Sequence, residues 1–301
     1  MVLNKKLVVV AGSTGNLGGR IIKYLLQQHA NVRALVRHGG DRELVNKLTS
    51  IGADVVEVDY QNLSKLTEAC SNADCVISAL SGLRAVIVDG QSKLLNAAIN
   101  AGVHKFIPSD YCIDYRNLQA GANRNLDIRR EFSEILDKAP IKSTSVLNGM
   151  FMDLLTGQAP VILFKQRRIF FWGNGDQKMD FTTIEDTARY TASAALDDHS
   201  PRWLTIAGET ASMHDIQKIA SEAEGNTFKR LRPGGLAAFK IVIGITKTLA
   251  PGRTETFPAW QGMQYLYDML TGLPKFKSLD NDRYGKIHWD KIRDVLARRH
   301  Q

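Results

Sequence analysis

Cysteine is scarce. The 301 residues hold three, Cys70, Cys75 and Cys112, an odd number without metal-ligand spacing, which reads as reduced, buried thiols in a cytoplasmic protein rather than a disulfide framework. Long apolar runs are lacking as well: Val242-Ile243-Gly244-Ile245 lies between Lys240 and Lys247, too interrupted for a membrane-crossing helix. The first strand follows the N-terminus so closely that no signal peptide is expected. No long basic run occurs, although the net charge is +8. The cations are scattered as Lys5-Lys6, Arg129-Arg130, Arg167-Arg168, Lys229-Arg230 with Arg232, and Arg298-Arg299. Without helix-turn-helix or zinc-finger spacing, they argue against nucleic acid and for a phosphate-rich small ligand plus a solvated surface. His104, His214 and His288 stand singly, so no metal is expected. Ser78, Ser81 and Ser109 lie outside any G-x-S-x-G elbow, which argues against a hydrolase. Repeats and low-complexity linkers are absent, and no membrane partner is expected.

What is present is an ordinary globular composition, 44% hydrophobic and 23% charged, with enough length to bury a large core. The chain is organised around its first strand, turn and helix. Residues 7–11 form a short unbroken apolar run, as a strand buried on both faces of a parallel sheet requires. Leu17, Ile21, Ile22, Leu25 and Leu26 then follow helical spacing. Between them lies Gly12-Ser13-Thr14-Gly15-Asn16-Leu17-Gly18. Its first glycine serves the bend, the second lets a pyrophosphate approach the backbone, and the third lets helix pack on strand. Amide groups and the helix dipole would meet phosphates there.

The next strand, 32–36, ends in Arg37 and His38. An acid at this place suits the ribose hydroxyls of NAD, whereas an arginine accepts the 2′-phosphate of NADP, and a guanidinium engages phosphate through paired donors. After a third strand at 55–58, Asp59 beside Tyr60 can reach an adenine edge in such folds, the other reading of the acid being a helix cap. A fourth strand at 75–79 leads into Leu80 and Ser81, and a fifth exits through Pro108 and Ser109. Ligands of open parallel sheets bind outside these carboxyl ends, which brings Ala79, Leu80 and Ser81 beside the cofactor. Helices are expected at 88–101 and 122–138, and a sixth strand at 143–147 leads to Asn148. Alternating strands and helices over residues 1–150 predict an α/β doubly wound parallel sheet. Residues 151–301 read as a smaller mixed α/β lobe for substrate, with the chain returning to the sheet near 180–197. In that lobe Ser212-Met213-His214-Asp215 is a capping-box-like helix start.

Three segments together resemble the NmrA-like and isoflavone-reductase-like branch of the atypical short-chain dehydrogenases. They are the glycine turn with Arg37, the exit Lys105-Phe106-Ile107-Pro108-Ser109-Asp110-Tyr111, and Val146-Leu147-Asn148-Gly149-Met150-Phe151. Trp172-Gly173-Asn174-Gly175 and Phe181-Thr182-Thr183-Ile184-Glu185-Asp186 resemble the family's second lobe. The resemblance implies a Rossmann domain that binds NADP(H) through Gly12, Ser13, Thr14, Gly15, Asn16, Leu17, Gly18, Arg37, His38, Asp59, Tyr60, Ala79, Leu80, Ser81, Pro108, Ser109 and Asn148. It implies a substrate pocket at Tyr111, Tyr115, Gly149, Met150 and Phe151. Two functions follow: NADPH-dependent reduction of a small activated acceptor, quinone-like or aromatic, or NADP(H) sensing without turnover, with a protein as partner.

The family's reductases carry a lysine a few residues before an Arg-Arg pair. Here the pair is Arg129-Arg130, the matching position is Asn125, and no lysine lies between Lys105 and Lys138. The tyrosine-lysine pattern of standard short-chain dehydrogenases is missing too, since Tyr111 is followed at that spacing by Tyr115, and Tyr115 by Gln119. Such a lysine lowers the tyrosine pKa, so its loss weakens general acid catalysis. Tyr111 and Asn125 are therefore the catalytic candidates, Tyr111 equally readable as a pocket wall.

Overall fold

A computed structural model describes residues 5–299. Its elements begin with β1 (Leu7–Ala11), α1 (Asn16–Gln27), β2 (Asn31–Arg37), α2 (Arg42–Ser50), β3 (Asp54–Val58), α3 (Leu63–Cys70) and β4 (Cys75–Ser78). There follow α4 (Gln91–Asn100), β5 (Lys105–Ile107), α5 (Arg124–Leu136), β6 (Lys142–Ser143) and β7 (Ser145–Leu147). Short strands β8 (Met150–Phe151), β9 (Ile162–Leu163), β10 (Arg168–Phe170) and β11 (Met179–Thr182) precede α6 (Ile184–Leu196), β12 (Trp203–Thr205) and β13 (Glu209–Ala211). The chain closes with α7 (Met213–Ala223), β14 (Lys229–Leu231), α8 (Leu236–Leu249), α9 (Ala259–Thr271) and α10 (Ile292–Arg298). Two compact units result. The first comprises Met1–Asp110, Ile128–Val146 and Thr187–Leu204, and the second Tyr111–Asp127, Leu147–Asp186 and Thr205–Gln301.

The first unit holds a six-stranded sheet in the order β3-β2-β1-β4-β5-β6, parallel throughout, which is the doubly wound arrangement expected from the alternation. Alternate residues of β1 serve opposite faces: Val9 and Ala11 join Leu66, Leu94, Leu95 and Phe132 in one core cluster. Ile21, Ile22 and Leu25 of α1 are buried as well. At the end of this unit, the buried Lys105 ammonium donates to Ala194 O and Ser200 Oγ, and to Asp197 O at 2.8 Å. It thus gathers a carbonyl in the last turn of α6 and one just past its end. Burial lowers the Lys105 pKa.

Two local readings differ from the sequence expectation. The segment read as one helix from 88 starts earlier, with a π-helical stretch at Ala85–Gly90 that passes into α4. The sixth strand splits at Thr144, whose N–H still donates to Phe106 O at 3.1 Å. Beyond it β7 pairs with β12, and Ser145 N–H donates to Arg202 O at 2.8 Å. The run Ser143-Thr144-Ser145 between the two ladders carries no glycine or proline to mark the change of partner.

The second unit is built from small sheets, β13-β11-β8 and β14-β10-β9, with α7 to α10. The capping box opening α7 is present, with Ser212 and Asp215 each accepting from the other's backbone. Among the described residues no helix is long and apolar enough to cross a membrane. Cys70, Cys75 and Cys112 are buried, and burial pushes the thiols of Cys70 and Cys75 up to about 12, which leaves both as inert core residues.

Candidate functional site

In the first unit the candidates gather at the carboxyl edge of the sheet, where the strand exits are pinned to one another. Gly12 lies at φ +78, and a Cβ there would stand 2.5 Å from Ala79 O, so the bend after β1 requires glycine and touches the exit of β4. A Cβ on Gly18 would overlap Gly12 O, which fixes α1 against the turn. The Ser13 hydroxyl is buried and donates to Leu35 O at 2.6 Å, tying the turn to β2. Ser109 Oγ donates to Leu80 O at 2.6 Å, and Ser109 N–H to Gln91 Oε1 at 3.0 Å, tying β5 to β4 and α4. The serines thus shape the edge with their hydroxyls turned inward.

What remains open on that edge suits an anion. Gly15 occupies the N-cap of α1 without a side-chain cap, and the first turn holds no acid. The partial positive charge and N–H groups of the helix start are therefore not neutralised by the protein. Thr14, Gly15 and Asn16 are exposed and Leu17 half-buried, while Asn16 Oδ1 accepts from Arg20 Nε at 2.8 Å. Arg20, a cation on the first turns of this helix, escaped the sequence reading; its spacing of four from Asn16 was the available signal. Arg37 stands exposed at the end of β2, while His38 Nδ1 is paired with Glu57 Oε2 at 2.8 Å. Half-buried Tyr60 has its pKa raised by burial and by Cys70, with the Arg37 charge opposing. Asp59 makes a local turn, accepting from Gln61 N–H at 2.9 Å, and Asn62 caps α3. Ser81 is exposed, and Pro108 is buried in the β5 exit. The residues present fit a dinucleotide: an uncapped helix start behind a glycine bend, and a free-standing guanidinium one strand away.

The second unit contains Asn148, Tyr111, Tyr115, Asn125, Gly149, Met150 and Phe151. Asn148 is fully buried, and neither end of its carboxamide has a partner among the described residues. Its backbone, by contrast, is held: its N–H donates to Cys112 O at 3.1 Å and its carbonyl accepts from Thr182 Oγ1 at 2.7 Å. A buried unsatisfied amide costs free energy that a ligand's polar group would recover. Gly149, at φ +69, leaves no space for a Cβ beside Asp180 O, and Met150 and Phe151 are half-buried. A small depression beside Gly149 is bordered by Ile113, Lys178, Asp180 and Lys275, so two lysines absent from the sequence reading stand near it.

Tyr111 and Tyr115 are buried, Tyr115 opening a short 3-10 turn that Asp114 caps. Asn125 is buried, donates from Nδ2 to Thr256 O at 2.8 Å and accepts at Oδ1 from Arg124 Nε at 3.1 Å. Arg124 in turn holds Glu255 O and Thr256 O and lies 4.7 Å over the Trp260 ring. Asn125 is thus part of a clamp on the connection between α8 and α9. Close by, the sequence reading missed a buried polar set: Asn123 Nδ2 donates to Asp268 Oδ2 at 2.8 Å and Gln261 Nε2 to Asn123 Oδ1 at 2.7 Å. Burial raises the Asp268 pKa to about 6, with Asp127 adding to the shift and the Asn123 bond opposing it.

A family model described as the NmrA-like family matches residues 4–251. Pinoresinol reductase 2 of Arabidopsis thaliana is 30% identical over 234 residues, covering 73% of this chain and 72% of that protein. A bifunctional pinoresinol-lariciresinol reductase of Forsythia intermedia is 30% identical over 318 residues, covering 98% and 99%. A solved structure of AtPrR2 with NADP+ and (+)pinoresinol superposes with a TM-score of 0.82 at 21% identity, covering 97% of this chain and 98% of that one. At that identity the superposition establishes a shared fold.

Proposed function

This chain belongs to the NmrA-like family, and we propose on that premise that it is an NADPH-dependent reductase of a small aromatic acceptor. The observation that carries the reading is the uncapped, acid-free start of α1 behind the Gly12 bend, with Arg37 exposed at the end of the neighbouring strand. The relatives named pinoresinol reductase supply the acceptor class. Bound NADPH would supply a hydride. The chain's part is to hold the pyrophosphate at the amides of Gly15 to Gly18, to pair Arg37 with the 2′-phosphate, and to keep the exits at Ala79, Leu80, Ser81, Pro108 and Ser109 rigid. His38, Asp59 and Tyr60 border the adenosine half. Asn148 offers a carboxamide to a ligand carbonyl or amide.

The finer proposal is an activated acceptor, an aromatic enone or a quinone. Asn125 is not a proton donor of useful pKa, and its amide is already spent on Thr256 and Arg124. An acceptor whose reduced oxygen can take its proton from water or from Tyr111 needs less acid catalysis. The same commitment of Asn125 is what favours the second reading, an NADP(H) sensor that acts on a protein partner without turnover. Stopped-flow NADPH oxidation against lignans, aromatic enones and quinones separates the two. Acceptor-dependent oxidation supports the reductase. Oxidation at the protein-free rate for every acceptor, with NADPH and NADP+ giving different protease-cleavage patterns, supports the sensor.

A further inference from the structure

The segment 226–257 departs from the rest of the surface. It carries six cations, Lys229, Arg230, Arg232, Lys240, Lys247 and Arg253, against one acid, Glu255, and all six cations are exposed. It also holds Leu231, Ile241, Ile245, Leu249 and Phe257, five of the eleven large apolar side chains exposed among the described residues. Charge and exposed apolar area therefore coincide in one short stretch.

The centre of this stretch is α8. Its inner side is fixed by Phe239 and Ile243, both buried, with the Phe239 ring stacked on Trp172 at 4.9 Å and 5° between planes. At one residue per 100°, Ile241, Gly244, Ile245, Thr248 and Leu249 fall together on the opposite side. Ile241, Ile245 and Leu249 are 65%, 53% and 80% exposed. A surface helix of a globular protein ordinarily turns a polar face outward; this one has apolar residues on both sides. Lys240 and Lys247 fall together along one side of the outer stripe, the Lys247 ammonium 5.0 Å over the Trp260 ring; Arg230 and Arg232 precede the helix, and Arg253 follows it. Their long stems can lie along an apolar surface while the charged heads stay at its polar edge.

The charge decides what covers the stripe. A second copy docked by the same face would bring the six cations of each chain together, which like-charge repulsion opposes. The stripe also offers a partner protein no polar anchor besides Thr248. An anionic bilayer meets both demands, with headgroup charge for the basic border and acyl chains for the isoleucines and Leu249. We propose that α8, with the basic residues around it, is a docking surface for an anionic lipid bilayer and lies in the plane of the membrane. That no helix among the described residues is long and apolar enough to span bears on crossing a membrane, a different requirement from resting on one.

The test is co-sedimentation of the full chain with phosphatidylcholine vesicles, with and without phosphatidylserine. Binding to the anionic vesicles at low salt, more than about tenfold above neutral ones and lost at high salt, is expected. Lys240→Glu and Arg253→Glu should each weaken it by about fivefold or more, and Ile245→Asp by roughly tenfold or more. Leu249→Ser, at the most exposed position, reads the same loss if Ile245→Asp disturbs the helix. Leu63→Ser, an exposed apolar site on α3, should change nothing. Equal partition to neutral vesicles, no partition to either, or a dimer that Ile245→Asp converts to monomer would overturn the proposal.

Discussion

At the carboxyl edge of the sheet in the first unit, backbone meets backbone: Gly12 abuts Ala79 O, Gly18 abuts Gly12 O, and the hydroxyls of Ser13 and Ser109 end on the carbonyls of Leu35 and Leu80. In the second unit Asn125, and the polar set beside it, are held by side-chain bonds to residues far along the chain, Asn125 with Thr256 and Asn123 with Gln261 and Asp268. A site of the first kind is fixed by a few close approaches that admit one residue type. A site of the second kind is fixed by polar partners that can be exchanged for others. Substitutions in the first should therefore act on ligand binding sharply, and substitutions in the second on stability first.

The largest effect is expected from Gly18→Ala. The added methyl has no room against Gly12 O and must push α1 off the turn, costing about 3 kcal/mol or more in chemical denaturation and lowering NADPH affinity by roughly a hundredfold or more. An NADPH affinity left unchanged would break the contrast at its root.

Asp268→Asn probes the second unit. The folded carboxyl has its pKa at about 6, above the unfolded value of about 3.9. Between these values the folded state binds a proton that the unfolded state does not, so this group makes stability rise as pH falls from about 6 to about 4, and weighs against folding above that window. The asparagine keeps an acceptor for Asn123 and removes the buried charge. It should stabilise the protein by about 2–3 kcal/mol at pH 8, with the gain shrinking toward zero near pH 4. Urea melts across that range measure it, and a gain independent of pH would contradict the assignment.

Arg37→Ala comes next. A charge-assisted phosphate contact is worth about 1.5–3 kcal/mol, so the preference for NADPH over NADH should fall by roughly tenfold to a hundredfold. Melting temperature and NADH affinity should stay as they are. Fluorescence titration of both cofactors reads this directly. The smallest effect is expected from Asn125→Ala, which removes one of the two donors on Thr256 O and the acceptor of Arg124 Nε and should cost about 0.5–1.5 kcal/mol of stability with NADPH affinity unchanged. A loss of turnover without a loss of stability would instead make Asn125 a catalytic residue.

This contrast also governs what could be read from the chain beforehand. The turn at Gly12, the order of alternating strands and helices, and the capping box at Ser212 are local patterns, and each is found where its pattern stands. The split of the sixth strand at Thr144 is hidden because no breaker residue stands between β6 and β7, which pair with different partners. The set around Asn123 was hidden because its partners Gln261 and Asp268 lie 138 and 145 positions away. No spacing rule connects them. Asn148 was reached by resemblance, while its orphaned carboxamide depends on neighbours that only the fold supplies.

The central claim is that a cofactor bound at the glycine turn is consumed in reducing an aromatic acceptor. It is tested most directly by following NADPH and NADH oxidation by the wild-type protein across lignans, aromatic enones and quinones. The account predicts acceptor-dependent oxidation, faster with NADPH than with NADH by roughly tenfold or more, with that advantage lost in Arg37→Ala. Tight NADPH binding with no acceptor raising the rate above the protein-free control would contradict it.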